Sequence, residues 1–190
     1  MRLGIAHHLG WAVAVTADPS HAVVDRRRIE LVEPGLPAAP VHHVGGPYDL
    51  HRTGEPLDDE TLARLVDEVR ASATRMTAAA LDEIAAAVDA SIRSVSLRSW
   101  SADFPRDIAV QRRVPYESRA DSVMYREVLA DLARERGWAV HLYEAGEVEV
   151  RATRVLGERA RAVLYGPRTT LGPPWTKDHR MALAATVLAG

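Results

Sequence analysis

Short apolar runs at the start of the chain predict three β-strands in succession. Residues 2–8 alternate large apolar side chains with small ones, the period of two that is typical of a strand. Residues 10–17 form a second apolar run, too short for a stable helix, and residues 22–32 form a third, whose charged middle is typical of an edge strand. Turn-forming residues at 18–20 separate the last two runs. The pattern therefore predicts an antiparallel meander.

Two further strands alternate with helices in the rest of the chain. Acidic residues at 58–60 begin a long stretch whose apolar residues recur every three or four positions, as in an amphipathic helix. A helix unbroken to residue 90 would be about 48 Å long, so we expect a break at 74–77 or a protruding end. The same reasoning predicts strands at 94–100 and 138–144 and helices at 118–136, 145–165 and 177–188.

A segment dense in proline and glycine lies between the meander and the long helix. Residues 33–57 are predicted to form a long irregular loop, with a brief extended piece at 41–44. Loops of this length are uncommon unless they are functional or mobile. We expect residues 1–190 to form a single domain that includes this loop.

Composition excludes several classes of function. The chain has 190 residues, of which 47% are hydrophobic and 26% charged, as in ordinary globular proteins. It has no cysteine, which excludes disulfides, cysteine-ligated zinc and thiol catalysis. No apolar run approaches the ~20 residues that a membrane span needs, and the first residues do not resemble a secretion signal. We therefore expect no membrane partner and a cytoplasmic location. The net charge of −2 gives no overall field that attracts nucleic acid.

Both ends of the sequence resemble a known family. The first two strands resemble the opening hairpin of RuvC-type resolvases in the segment LGIAHHLGWAVAV, where the family has Gly-Ile-Asp followed by a glycine and an aromatic residue. The last strand and helices are similar to the end of that family in the segments YEAGEVEVRATRVLG and TKDHRMALAATVLAG. The resemblance implies an α/β fold of the RNase H-like type: a five-stranded mixed sheet of order 3-2-1-4-5 with helices on both faces.

The resemblance also implies where chemistry would occur. Family members that cut nucleic acid place carboxylates on the first strand, the fourth strand and the last helix, because two Mg²⁺ ions need clustered oxygen ligands. Here the first-strand position falls on Ala6 and the fourth-strand position on Arg98 or Ser99, and only Asp178 in the last helix is an acid. We therefore expect neither a conventional two-metal nuclease nor a bound cofactor.

Histidines offer a second reading of the same cleft. In the implied fold His7 or His8 ends the first strand, Glu144 ends the fifth strand, and Asp178 and His179 begin the last helix. Such a set could hold a divalent transition metal. Because neighbouring residues of a strand point to opposite faces, only one of the two adjacent histidines can face the cleft. The alternative is that these histidines are structural.

Three functions follow, in order of preference. The first is a catalytically degenerate RNase H-like domain, a pseudoenzyme that serves as a binding or assembly module, with the long helix as the interface of a homodimer. The second is non-catalytic nucleic-acid binding, for which the candidate contacts are Arg26, Arg27, Arg28, Arg151 and Arg154. The third is a hydrolase or metal-binding protein with a rebuilt His/Asp site.

Overall fold

Five strands form one mixed sheet in the computed structural model, which describes residues 1–46 and 54–190. The order of the strands in the sheet is β3-β2-β1-β4-β5. Strands β1, β2 and β3 pair antiparallel, whereas β4 runs parallel to both β1 and β5. The predicted α/β class, sheet order and meander are therefore confirmed. The strands are Arg2–His7 (β1), Trp11–Ala17 (β2), Val23–Glu30 (β3), Ser94–Arg98 (β4) and Ala139–Tyr143 (β5).

Helices follow the third, fourth and fifth strands, as the pattern predicted. The predicted helix at 145–165 is divided near Gly157, whose φ of 56° is in the left-handed region that ends helices. A 3-10 turn, Gly157–Arg159, joins its two parts. The loops at 101–117 and 166–174 each contain one short helix. The helices are Asp59–Ala86 (α1), Ile108–Gln111 (α2), Glu117–Glu135 (α3), Val148–Leu156 (α4), Ala160–Tyr165 (α5), Pro167–Thr170 (α6) and Lys177–Leu188 (α7).

The two faces of the sheet carry separate cores. Leu3 and Ile5 of β1 point to the face that α1 and α3 cover. Ala6, together with Val13 and Val15 of β2, points to the opposite face, where α4, α5 and α7 pack. The alternation of apolar residues along β1 therefore places helices on both faces, as predicted.

Gly4 sets the distance between β1 and α7. A Cβ atom at this position would lie 1.9 Å from the carbonyl oxygen of Ala182, which is inside the hard-sphere limit. The last helix can therefore pack directly on the backbone of the central strand. This contact brings the first turn of α7 close to the end of β1.

The long helix α1 differs from the prediction. It runs unbroken for 28 residues, about 42 Å at the usual rise, and its N-cap Asp58 accepts a hydrogen bond from the amide of Thr61 at 2.8 Å. Its apolar stripe is buried at Leu62, Val69, Ala73, Leu81 and Ile84 and partly buried between them, and Thr77 is buried at the predicted break. The predicted break is therefore wrong, and the alternative of a protruding end used for pairing stays a prediction. The homodimer stays a prediction.

The loop after β3 contains a helical turn instead of the predicted extended piece. Pro40–Gly45 forms a π-helical turn, because the amides of Val41 and His42 bond to the buried carboxylate of Asp121 at 3.0 and 2.9 Å. The prediction of an extended piece at 41–44 is therefore wrong. Residues 47–53, which include His51 and part of the predicted loop, lie outside the described residues. Across 1–46 and 54–190, no helix has the length and apolarity that a membrane crossing requires.

Candidate functional site

The carboxyl ends of β1 and β4 and the first turn of α7 lie at one edge of the sheet, which we call the cleft, and two separate pockets open along it. Nε2 of His8, just after β1, lies 3.1 Å from Oδ2 of Asp178 on α7. Thr176 caps this helix in the way the sequence suggested, in a capping box that His179 completes. Open α/β sheets usually bind ligands beyond the carboxyl ends of their strands. This cleft is therefore the candidate functional site.

The imidazole of His8 has a fixed orientation. It stacks on the indole of Trp11 with the ring centroids 4.1 Å apart and the planes 9° from parallel. The guanidinium of Arg28 lies 4.0 Å from the centroid of the same indole, and Nε of Arg28 also bonds Glu30 at 2.7 Å. A stacked ring and an acid partner give His8 one position, in which its second nitrogen is left for other contacts.

His7 and Arg126 form a contact between two basic groups. Nε of Arg126 donates to Nε2 of His7 at 3.1 Å, and Nη1 donates to the carbonyl of Ser99 at 2.8 Å. Burial, reinforced by the charge of Arg126, lowers the pKa of His7 to about 3. The imidazole is therefore neutral, and its Nε2 lone pair is engaged by the guanidinium. That nitrogen is not free to bind a metal.

Arg126 is a buried cation without an acid partner. The residue is only 8% exposed, and no carboxylate within the described ranges forms an ion pair with it. Burial, followed by the nearby charge of Arg98, lowers the pKa of Arg126 to about 10, so the group stays charged at neutral pH. Arginine side chains are rarely buried unless they are paired. The cleft therefore has a positive charge that no described carboxylate contacts directly, and the nearby Glu144 acts on it only at longer range.

The end of β4 adds a second cation to the cleft. Arg98 is exposed, and the described part of the chain supplies it with no ion pair. Two carboxylates at this edge of the sheet could pair with Arg98, but both have other partners. Asp178 bonds His8, and the carboxylate of Glu144 accepts a hydrogen bond from the hydroxyl of Ser99. The candidate residues at the ends of β1, β4 and β5 therefore meet in one region, but as separate pairs.

Two of the sequence candidates do not join this cleft. Ala6 is fully buried among the apolar residues that face α7. Nδ1 of His179 lies 2.9 Å from the hydroxyl of Thr176 and its ring 5.4 Å from that of Trp175, so it serves the start of α7. Burial lowers the pKa of His179. Of the residues that the structure describes, no three histidines and acids are grouped so that they could hold a metal ion.

The other arginine candidates are mostly engaged in structural contacts. Arg26 donates to the carbonyls of Leu171 and Gly172, which ties β3 to the segment before α7. Arg27 pairs with Asp25 at 2.8 Å, and Arg28 is held as described above. A second set, on the exposed side of α4 and distant in sequence from the first, consists of Arg151 and Arg154.

Sequence reasoning missed Arg126. The residue lies on the buried side of α3, three positions after Val123 and three before Leu129, where an apolar side chain continues the helical stripe. A lone arginine inside such a stripe is the signal that could have identified it. The family motif places its acids at the strand ends and in the last helix, whereas the buried cation of this cleft lies on α3.

Comparisons with known proteins add no relative. The sequence matches no protein-family model, and a search of curated proteins finds no match.

Proposed function

We propose that the protein is a divergent RNase H-like domain that binds nucleic acid without cutting it. The sheet order, the antiparallel meander and the helices on both faces support the RNase H-like assignment. In this proposal the edge of the sheet that would hold metal ions in a nuclease holds phosphate instead. The protein is then a binding module, and its cleft is the binding site.

The buried guanidinium of Arg126 is the observation that carries the proposal. Its hydrogen bonds within the described chain go to neutral acceptors, the imidazole of His7 and the carbonyl of Ser99. A buried charge that has only neutral partners destabilises the folded protein unless a ligand of opposite charge pairs with it. An arginine fork matches two oxygens of a phosphate group in geometry and charge. The cleft is therefore suited to an anion.

The same residues disfavour the metal-dependent alternative. A divalent cation in the cleft would be repelled by Arg98 and Arg126, and the lone pair of His7 that could ligate it is already engaged. The pair of His8 and Asp178 supplies two ligands, short of the cluster that a two-metal site needs. The side chains present thus favour an anion over a cation.

An extended polyanion fits the arrangement better than a single small anion does. Arg28 lies beside Trp11 in a pocket that Asp178 also lines, and Arg98 and Arg126 line a second pocket at the end of β4. Cations in two pockets along one sheet edge can contact successive phosphates of one strand. Because the whole chain has a net charge of −2, attraction must come from this local arrangement.

Fluorescence anisotropy with labelled single-stranded DNA, duplex DNA and RNA tests the proposal. We expect binding of at least one of these that is the same with Mg²⁺ and with EDTA. About three phosphate contacts predict a slope near −2 in a plot of log K against log salt for a single strand. The Arg98→Ala variant should weaken binding about tenfold.

Arg151→Ala is the matched control, because Arg151 is exposed on α4 and belongs to the second arginine set. It should bind as the wild type does. If Arg151→Ala weakens binding and Arg98→Ala does not, the surface of α4 is the site and the cleft is not. Failure to bind any of the nucleic acids, or Mg²⁺-dependent cleavage of one, overturns the proposal.

A further inference from the structure

A pocket opens between the end of β4 and the start of α3, next to the cleft. It has a volume of about 280 Å³, enough for a phosphate group together with part of the molecule that carries it. Its walls are the first turn of α3 and the segment after β4. The polar residues that matter here are Arg98, Ser101, Ser118, Arg119, Arg126 and Glu144.

The pocket has a net positive charge. Three arginines and one carboxylate line it, which leaves two positive charges without a counterpart in the lining. The carboxylate, Glu144, is held by the hydroxyl of Ser99, and neither Arg98 nor Arg119 forms an ion pair with the described residues. A dianion would balance the lining.

One of the residues that line the pocket is the buried Arg126. Two of its three nitrogens are used, Nε on His7 and Nη1 on Ser99, and Nη2 makes no hydrogen bond to any residue that the structure describes. The residue is more than nine-tenths buried. Because its other contacts hold the planar group in place, Nη2 is a fixed donor, and it belongs to a residue that lines the pocket.

The start of α3 also provides a group that can bind an anion in this pocket. Ser118, in the first turn of this 19-residue helix, lines the pocket. Because the amides of Glu117, Arg119 and Ala120 already donate to preceding carbonyls, the serine side chain is the donor that this turn adds. Serine hydroxyls and arginine forks are the donors with which proteins hold phosphate oxygens.

We infer that this pocket takes a terminal phosphomonoester, the phosphorylated end of a nucleic-acid strand bound in the adjacent cleft. A phosphomonoester has three free oxygens and a charge close to −2 at neutral pH, whereas a bridging phosphodiester has two free oxygens and a charge of −1. The excess charge of the lining matches the former. The inference deepens the proposed function and rests on it for the source of the phosphate.

Anisotropy with three versions of one labelled oligonucleotide tests the pocket: a 5′-phosphate, a 3′-phosphate or no terminal phosphate. We expect the wild type to bind one of the phosphorylated versions at least tenfold more tightly than the unmodified one. Arg126→Met should abolish that preference. Arg119→Ala, a change at an exposed position that leaves the buried contacts in place, should reduce it several-fold, so that a folding defect of the first variant does not decide the result.

Arg134→Met is the matched control on the same helix, because Arg134 is exposed and pairs with Asp131 at 2.8 Å. It should keep the full preference. Calorimetry with inorganic phosphate and with a nucleoside monophosphate separates the two sources of a phosphomonoester.

The possible outcomes separate the pocket from the proposed function. Equal binding of all three oligonucleotides overturns the pocket and leaves nucleic-acid binding intact. Binding of inorganic phosphate and the nucleoside monophosphate, lost in Arg126→Met, without binding of any oligonucleotide supports the pocket and overturns nucleic-acid binding. If no probe binds, both are overturned.

Discussion

Helix α3 carries two buried charged clusters that differ in how their charges are satisfied. Near its start, Glu117 and Asp121 are 1% and 2% exposed. Asp121 accepts the amides of Val41 and His42, and Glu117 contacts the imidazole of His42. Five positions after Asp121, Arg126 is buried almost as deeply with only neutral partners. One helix therefore buries acids that the chain satisfies and a base that it does not.

The difference teaches that burial of a charge is not by itself a sign of function. The acidic cluster has a structural use, because it holds the π-helical turn at Pro40–Gly45 against α3. The basic cluster also bonds a loop residue, Ser99, but Arg126 lines a pocket and keeps one nitrogen without a partner among the described residues. A buried charge is a candidate for binding when its hydrogen bonds and ion pairs are incomplete and it faces a cleft. A buried charge whose partners are complete has a structural role.

Gly4→Ala should have the largest effect on stability, and it should loosen the His8 side of the cleft while leaving the acidic cluster of α3 in place. The added methyl group would collide with the carbonyl of Ala182 and push α7 away from β1, at a cost of about 3 kcal/mol in the free energy of unfolding. The His8–Asp178 contact should loosen, whereas Glu117 and Asp121 lie on the other face of the sheet. Urea denaturation measures the first effect, and the imidazole NMR signals of His8 and His42 measure the second.

Gly146→Ala is the control for this substitution, because a Cβ at Gly146 would meet no atom within 4 Å. It should unfold within about 0.5 kcal/mol of the wild type. Equal stability of the Gly4→Ala and Gly146→Ala variants would contradict the close packing of α7 on β1.

Asp121→Ala should have the second-largest effect and should show that the acidic cluster is structural. It leaves the buried amide of Val41 and the partly buried amide of His42 without their acceptor, which together should cost about 2 kcal/mol in the free energy of unfolding. Asp131→Ala, at an exposed position of the same helix, should change stability by less than about 0.5 kcal/mol. Binding of oligonucleotides to folded protein should be equal in both variants. Loss of binding in Asp121→Ala alone would remove the distinction between the clusters.

His7→Gln should change the pH dependence of stability. Because the pKa of His7 in the folded protein, about 3, lies below its ordinary value of 6.5, the unfolded chain binds more protons between these values. The contribution of His7 to stability is therefore lost as the pH falls from about 6.5 towards 3. Burial raises the pKa of Asp121 to about 6, and its contribution has the opposite sign, being lost as the pH rises from about 4 to 6.

The difference in the free energy of unfolding between the wild type and His7→Gln reports the titration of His7 alone, because the contribution of Asp121 is present in both proteins and cancels. Between pH 7.5 and pH 4.5 the free energy of unfolding of the variant should rise by about 1–2 kcal/mol relative to that of the wild type. The upper limit is about 2.8 kcal/mol, which is about 1.4 kcal/mol for each of the two pH units between 6.5 and 4.5. We expect less because part of the ring is accessible to solvent. Denaturant titrations at both pH values measure it. A difference that is independent of pH would mean that His7 is not held neutral beside Arg126.

The sequence allowed the fold to be predicted further than the site. Alternating strands, the acidic start of α1 and the cap at Thr176 are local signals that predicted the elements, whereas the sheet order was predicted from the resemblance of both ends of the chain to a known family. The break in α1 was predicted from its length alone. Helix α3 packs along α1 and covers much of its stripe, and no local pattern contains that information.

The site was only partly predictable, for a related reason. The meeting of His8 with Asp178 follows from the topology, because the end of β1 and the start of α7 share one edge of the sheet. The contact of Arg126 with His7 joins a helix face to a strand end across 119 positions. Which residue of a helical stripe reaches such a strand end depends on the rotation of the helix, and this is set by packing rather than by sequence period.

The separation of His8 and Asp178 by 170 positions has a consequence for the synthesis of the protein. A nascent chain that has not yet released its last helix can form the β1–β2–β3 meander, because those pairings are local. It cannot form the acid–imidazole pair, and the backbone of Gly4 is left without the helix that covers it. Contacts between such distant positions form slowly because a large loop must close. This edge of the sheet is therefore completed only after α7 has been synthesised, when the preceding strands and helices can already have formed.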